Sequence, residues 1–284
     1  MKRQWIAMMS IAVLSAAMLS GCGAEVSSQS SETPASQVSI PDAETASAVE
    51  STADTADASL QLGDQLKKPK KGEEIAVIET TQGTIKLRLF PQEAPKTVEN
   101  FKTLAKDGVY DGLPFHRIID NFMIQTGQSS STSIYGGNFE DEFSENLLNL
   151  RGAVSMANVG AADTNGTQFF INQTPADHFP GWDNILNGYR AYMQNPEGFT
   201  QVYGTWPDMS KVTMEIRELY EKYGGNPSLD GAYTTTGLGH TVFGQVFEGM
   251  DVVDRIAKAK VDENQKPVSD DYKIKTITIT TYEG

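Results

Sequence analysis

The chain has 284 residues, a length that suits one or two domains, and carries 23 Lys plus Arg against 37 Asp plus Glu, a formal charge of −14. That balance argues against a dedicated nucleic-acid binder, whose affinity depends on neutralising phosphates with basic side chains. A single cysteine, Cys22, excludes intrachain disulfides and Cys-based zinc sites. The three histidines, His116, His178 and His240, show no HExxH-type spacing.

Residues 1–21 read as an export signal. Lys2 and Arg3 form a positive start, and the apolar run from Ile6 to Leu19 is too short to cross a roughly 30 Å hydrocarbon core as a helix. Leu19-Ser20-Gly21-Cys22 resembles a bacterial lipobox, which implies a lipid on Cys22 and a chain held at the extracytoplasmic face of the cell membrane. Gly23 to Leu66 contains eight acids, no Lys or Arg and no aromatic residue. Such a composition cannot bury enough apolar surface to offset chain entropy, so residues 22–74 are expected to be a disordered acidic tether. Its end, Lys67-Lys68-Pro69-Lys70-Lys71, reads as a solvated basic hinge.

From Ile75 the pattern changes to a folded domain, expected over residues 75–284. Ile75–Thr81 and Thr84–Phe90 alternate with β-branched residues around Gln82-Gly83, the pattern of a hairpin. Pro95 opens a helix with Val98, Phe101, Leu104 and Ala105 on one face and Gly108 as its stop. Short strands are expected at 115–119, 122–125, 153–157, 168–172 and 241–246, and a second helix near Gly249-Met250-Asp251. An alternating strand over 274–280 closes the chain. Many short strands framed by two helices predict a mainly β fold, an antiparallel closed barrel.

Phe115-His116-Arg117-Ile118-Ile119-Asp120-Asn121-Phe122-Met123-Ile124-Gln125 resembles a cyclophilin peptidyl-prolyl isomerase. The likeness continues through Gly152–Asn158, Asn165–Ile171, His240–Gly244 and Gly249–Val253. It implies a closed eight-stranded barrel capped by two helices, and cis/trans isomerisation of X-Pro bonds without cofactor or metal. The barrier to that rotation is about 18–20 kcal/mol, and no covalent bond changes. Rotation pyramidalises the prolyl nitrogen, and a fixed cation that hydrogen-bonds the exposed lone pair stabilises the twisted state above either planar isomer. Arg117 is the catalytic cation on this reading, being permanently charged and planar.

By the same resemblance Phe122, Met123 and Phe170 line a proline pocket, and Gln125 and Gln168 bond substrate backbone or orient Arg117. Asn158, with Ala157 beside it, offers main chain to an extended peptide, and His240 stands at the pocket's edge as a donor. His116 is expected to be a satisfied structural histidine. The implied partners are proline-containing polypeptides, with the membrane reached through the anchor; a monomer with no nucleic-acid partner is expected. The alternative is a module that binds proline peptides in the same groove without turnover. A metal-dependent hydrolase using Glu140, Asp141, Glu142 and Glu145 lacks a histidine pair.

Two regions depart from the family pattern. Only eight residues separate Gln125 from Ile134, which shortens a glycine-rich loop beside the groove. Sixty-five residues separate Thr174 from His240, where the family needs about ten; this insertion of about 175–239 is aromatic-rich and partly helical, with an amphipathic helix expected over Pro207–Tyr223. It is expected to pack against the barrel near the site. Leu229, in Ser228-Leu229-Asp230-Gly231, is preferred over His178-Phe179 as the missing pocket wall. No Trp lies in register there, so weak cyclosporin binding is expected.

Overall fold

The computed structural model describes residues 60–284. The expected signal sequence, Cys22 and the tether up to residue 59 lie outside the described residues.

The hairpin forms as β1 (Glu74–Thr80) and β2 (Gly83–Leu89), with Thr80 opposite Gly83 and Thr81-Gln82 as the turn. Gly83 has φ 136°, and a Cβ there would stand 2.8 Å from Val252, so the turn and the helix beneath it both favour glycine. α1 (Pro95–Lys106) follows, then β3 (Arg117–Ile119), β4 (Met123–Thr126), β5 (Ala153–Met156) and β6 (Phe169–Asn172). After the insertion come β7 (Val242–Glu248), the helix Met250–Ala257 and β8 (Ile274–Thr281).

All eight strands pair antiparallel in the order β3-β4-β6-β5-β7-β2-β1-β8. Their inner face holds one apolar core, centred on Phe101, Tyr110, Phe169 and Phe243. Phe169 meets Phe101 edge-on at 5.4 Å, a favoured ring geometry.

The sheet is a curled half-barrel and does not close, contrary to the closed barrel expected. β3 has only three residues, and the outer edge of β3 is taken by a loop: Ile118 N donates to Gln265 O at 2.8 Å. β3 and β8 themselves make no ladder; the chain before β3 is joined instead to the start of β8 and the residues before it, through Ile274 N to Leu113 O and Phe115 N to Tyr272 O.

The insertion carries three further helices: α2 (Trp182–Gln194), α3 (Pro196–Tyr203) and α4 (Met214–Tyr223). The helix Met250–Ala257 is therefore α5, and the described residues hold five helices: the two framing ones, the amphipathic one expected in the insertion, and α2 and α3, which were not expected. α4 begins seven residues later than the amphipathic stripe predicts. Asp208 Oδ1 accepts from Ser210 N and Oγ, a local turn that competes with helix, and the Thr213 hydroxyl accepts from Ile216 N as the true cap. Met209 and Val212 are still buried, joining Trp182, Ile185, Ile216 and Tyr220 in a second core built on Leu148 and Leu150.

The folded unit also begins earlier than residue 75. Gln65 is fully buried, Leu62 and Leu66 pack on the second core, and Pro69 is buried between exposed lysines. The last residues of the acidic stretch thus form a strap, because a buried glutamine amide and two leucines give it what the rest of the tether lacks.

Candidate functional site

Strand register assembles the site. Arg117 on β3 stands opposite Gln125 on β4, Gln125 opposite Phe170 on β6, and Phe170 opposite Ser155 on β5. Directly opposed residues share a face, so these four form one row across the sheet. Their neighbours Ile118, Ile124, Ile171 and Val154 point the other way into the core. Met123, two residues before Gln125, belongs to the row's face and is buried, while Phe122 is half-exposed after the Ile119–Phe122 turn.

Arg117 is half-buried, and burial pulls its guanidinium below the ordinary value without approaching neutrality. Nε donates to Gln265 Oε1 at 2.8 Å. No hydrogen bond ties its Nη groups among the described residues. Gln125 Nε2 donates to Gln168 Oε1 at 2.9 Å, which locks the two amides together.

His240 meets Phe170 edge-on at 5.1 Å between centroids. Its Nδ1 lies 2.9 Å from Met156 O, and its backbone N donates to Leu229 O at 2.9 Å. Burial lowers the His240 pKa, with the Arg117 charge adding to the effect. The ring is thus neutral near pH 7, and a neutral imidazole with Nδ1–H given to the Met156 carbonyl presents Nε2 as an acceptor. In that tautomer the Nδ1 proton is taken by the Met156 carbonyl, and Nε2 is the ring atom left for a substrate.

Leu229 is placed beside His240 by close packing of backbone. A Cβ on Gly239 would lie 2.3 Å from Gly231 N and 2.5 Å from Leu229 O, so only glycine lets the two segments touch. The other candidate wall is directed elsewhere: Phe179 packs on Trp182 and Tyr220, and His178 is exposed beside Asp177. Ala157 N donates to Gln168 O, and Asn158 Nδ2 donates to Gly239 O at 2.8 Å. The Asn158 amide therefore pins the segment leading into His240.

His116 differs from expectation. Its Nδ1 is buried without a hydrogen-bond partner, and burial lowers its pKa against a hydrogen bond to Gln168. The acids of 140–145 serve the fold. Glu142 accepts from Lys96 N and Thr97 N at the start of α1, Glu140 pairs with Lys96, and Asp141 accepts from Asn165.

Gln265 was not foreseen. It sits in an exposed turn 148 residues after Arg117, at φ 64°, with nothing in its local pattern to mark it.

The family model "Cyclophilin type peptidyl-prolyl cis-trans isomerase/CLD" matches residues 75–279. A Staphylococcus haemolyticus protein named "Putative peptidyl-prolyl cis-trans isomerase" is 43% identical over 214 residues, covering 72% of this chain and 92% of the relative. A Staphylococcus aureus protein of the same name is 43% identical over 209 residues, covering 72% and 91%. Among solved structures, a Cryptosporidium parvum cyclophilin type peptidyl-prolyl cis-trans isomerase, crystallised in the presence of the dipeptide Ala-Pro, superposes with a TM-score of 0.51. It is 26% identical, and the match covers 73% of this chain and 99% of that one.

Proposed function

The chain belongs to the cyclophilin-type peptidyl-prolyl cis-trans isomerase family and is an X-Pro isomerase, and we propose that Arg117 drives its turnover on exported proteins from a lipid anchor at Cys22. The observation that carries this reading is the row Arg117–Gln125–Phe170: a held cation and an apolar ring on one face of the sheet, two strands apart.

The Phe170 and Met123 side chains, with Phe122 at the rim, supply a dry surface for the proline ring. Gln125 and Gln168, already bonded to one another, present amide groups to the substrate backbone. Gln265 occupies Nε of Arg117 and so leaves the Nη groups for the substrate. As the X-Pro bond twists, an Nη–H donates to the pyramidal prolyl nitrogen, an interaction that neither planar isomer offers. Stabilising the twisted state by about 6 kcal/mol gives about 10⁴-fold acceleration. No proton is transferred, so the neutral His240 ring acts as a wall and an acceptor.

The export signal and lipobox support placement outside the cytoplasm on the membrane, and unfolded or newly exported chains are the clients such a position meets. The test is NMR exchange on an Ala-Pro peptide with the whole chain as wild type and as Arg117→Ala. Wild type is expected to accelerate cis/trans exchange, and the variant to lose at least about 10²-fold of that acceleration. Binding without exchange by wild type would mark a recognition module instead. Cys22→Ser is expected to release the protein from the membrane fraction; unchanged membrane retention would remove the lipid anchor from this reading.

A further inference from the structure

The strap from Leu60 to Leu66 precedes the family match that begins at residue 75, yet one of its side chains reaches a fully buried position. Gln65 grips Leu148 by both backbone groups: Nε2 donates to Leu148 O at 2.9 Å, and Oε1 accepts from Leu148 N at 2.8 Å. The same Nε2 reaches Gln245 Oε1 at 3.1 Å, and Gln245 Nε2 in turn donates to Arg151 O at 2.9 Å. Two glutamine amides therefore hold both ends of the segment 148–151.

Between those ends lies Asn149, also fully buried. Its N and Nδ2 donate to Asp230 Oδ1 at 2.7 and 3.0 Å, and its carbonyl accepts from Asn226 N. Its Oδ1 accepts from Ser155 Oγ at 2.7 Å, and Ser155 stands in the row of Arg117 and Phe170. Asp230 takes a third donor, Tyr220 OH, on its other oxygen at 2.5 Å. The residue before it, Leu229, receives the backbone N–H of His240. In a buried, fully bonded network each member limits the movement of the next.

We propose that Gln65 is a positioning residue for the isomerase: it fixes the Leu148–Asn149 backbone, hence Asp230, and so sets where Leu229 and His240 stand at the groove. The assignment rests on the isomerase reading of that groove and extends it to a residue outside the family domain. Arg117 and its partner Gln265 share none of these bonds, so the strap governs how a substrate is held and leaves the chemistry of the twisted bond alone.

The test compares wild type, Gln65→Met and Leu62→Ala in the whole chain. Gln65→Met keeps the volume and loses the grip on Leu148; Leu62→Ala loosens the strap on the second core while leaving the amide. Three quantities are read: kcat and KM for an Ala-Pro peptide, the NMR signals of the His240 ring, and the unfolding midpoint. Gln65→Met is expected to raise KM about fivefold with kcat within about twofold, and to shift the His240 signals. Leu62→Ala is expected to lower the midpoint with KM and the His240 signals unchanged. Where Gln65→Met does not fold, Gln65→Asn replaces it, since it keeps a neutral amide but is one methylene too short to reach both Leu148 groups; a smaller KM rise with a His240 shift in the same direction is expected. Wild-type KM and unmoved His240 signals in the folded Gln65 variant would overturn the proposal. A wild type without turnover would defeat the isomerase reading alone, because the His240 signals still report whether Gln65 positions the wall.

Discussion

Arg117 Nε donates to Gln265 Oε1 at 2.8 Å, joining the shortest strand of the sheet to a turn 148 residues later. The contact answers a problem that β3 poses. Three residues give Arg117 little backbone support, and its outer edge has no strand beside it. The 262–267 turn fills that edge with Gln265 O on Ile118 N, and the same residue's side chain holds the guanidinium. Gln265 adopts φ 64°, uncommon for a side chain of its size, and the two bonds keep it there.

Removing that amide should blur the aim of the cation without removing its charge. Gln265→Ala is expected to lower kcat about 5–20-fold with KM nearly unchanged, a loss of about 1–2 kcal/mol in the twisted state alone. Gln265→Asn, one methylene shorter, should fall between the two. Exchange NMR at several peptide concentrations separates the constants. A rise in KM with kcat intact would show that Gln265 touches substrate instead.

Asp230 should give the protein an unusual pH dependence of stability. Burial drives its carboxyl up to about 7 despite the donors Tyr220 and Asn149, whereas an unfolded aspartate titrates at about 3.9. Between those values the folded state keeps a proton that the unfolded chain has lost. The stabilisation is therefore complete below the unfolded value and is lost as pH rises through about 7. The slope contributed by one such group is at most about 1.4 kcal/mol per pH unit. In Asp230→Asn that slope should vanish, so thermal midpoints of the variant should hold steadier than wild type from about pH 4 to 7. Parallel curves for the two proteins would refute the assignment.

Much of the framework was legible because short-range patterns carry it. Alternation located β1, β2 and β8 to within a residue or two, and Pro95 and Gly108 bracketed α1. The Arg117–Gln125–Phe170 row follows from three strands and their pleat. What stayed hidden depends on long-range contact. The open edge at β3 reflects a loop bond from Gln265, and Gln65 sits in a stretch whose composition is that of a spacer. α2 and α3 were missed because their apolar faces are narrow: Trp182, Ile185 and Phe199 are their only buried apolar side chains. Gly188 inside α2 looks like a breaker, yet a Cβ there would stand 2.4 Å from the Trp206 ring, so the glycine makes room for the indole.

The tryptophans also decide what the groove should refuse. Trp182 gives its indole N–H to Arg217 O at 3.1 Å, and Trp206 gives its own to Ile185 O at 3.0 Å. Both rings pack inside the insertion, Trp182 on Tyr220 and Trp206 on Phe199. A bound cyclosporin that needs an indole donor at the pocket wall would have to pull one from these contacts, losing its hydrogen bond and its ring packing at a cost of about 1–3 kcal/mol. The segment bonded to the His240 backbone carries Leu229, the proposed wall, which has no side-chain donor. Cyclosporin is therefore expected to bind more weakly than about 1 µM, measured by calorimetry on the whole chain. Leu229→Trp should tighten it if the wall position is assigned correctly, and a nanomolar dissociation constant for the unaltered protein would show that another residue supplies the contact.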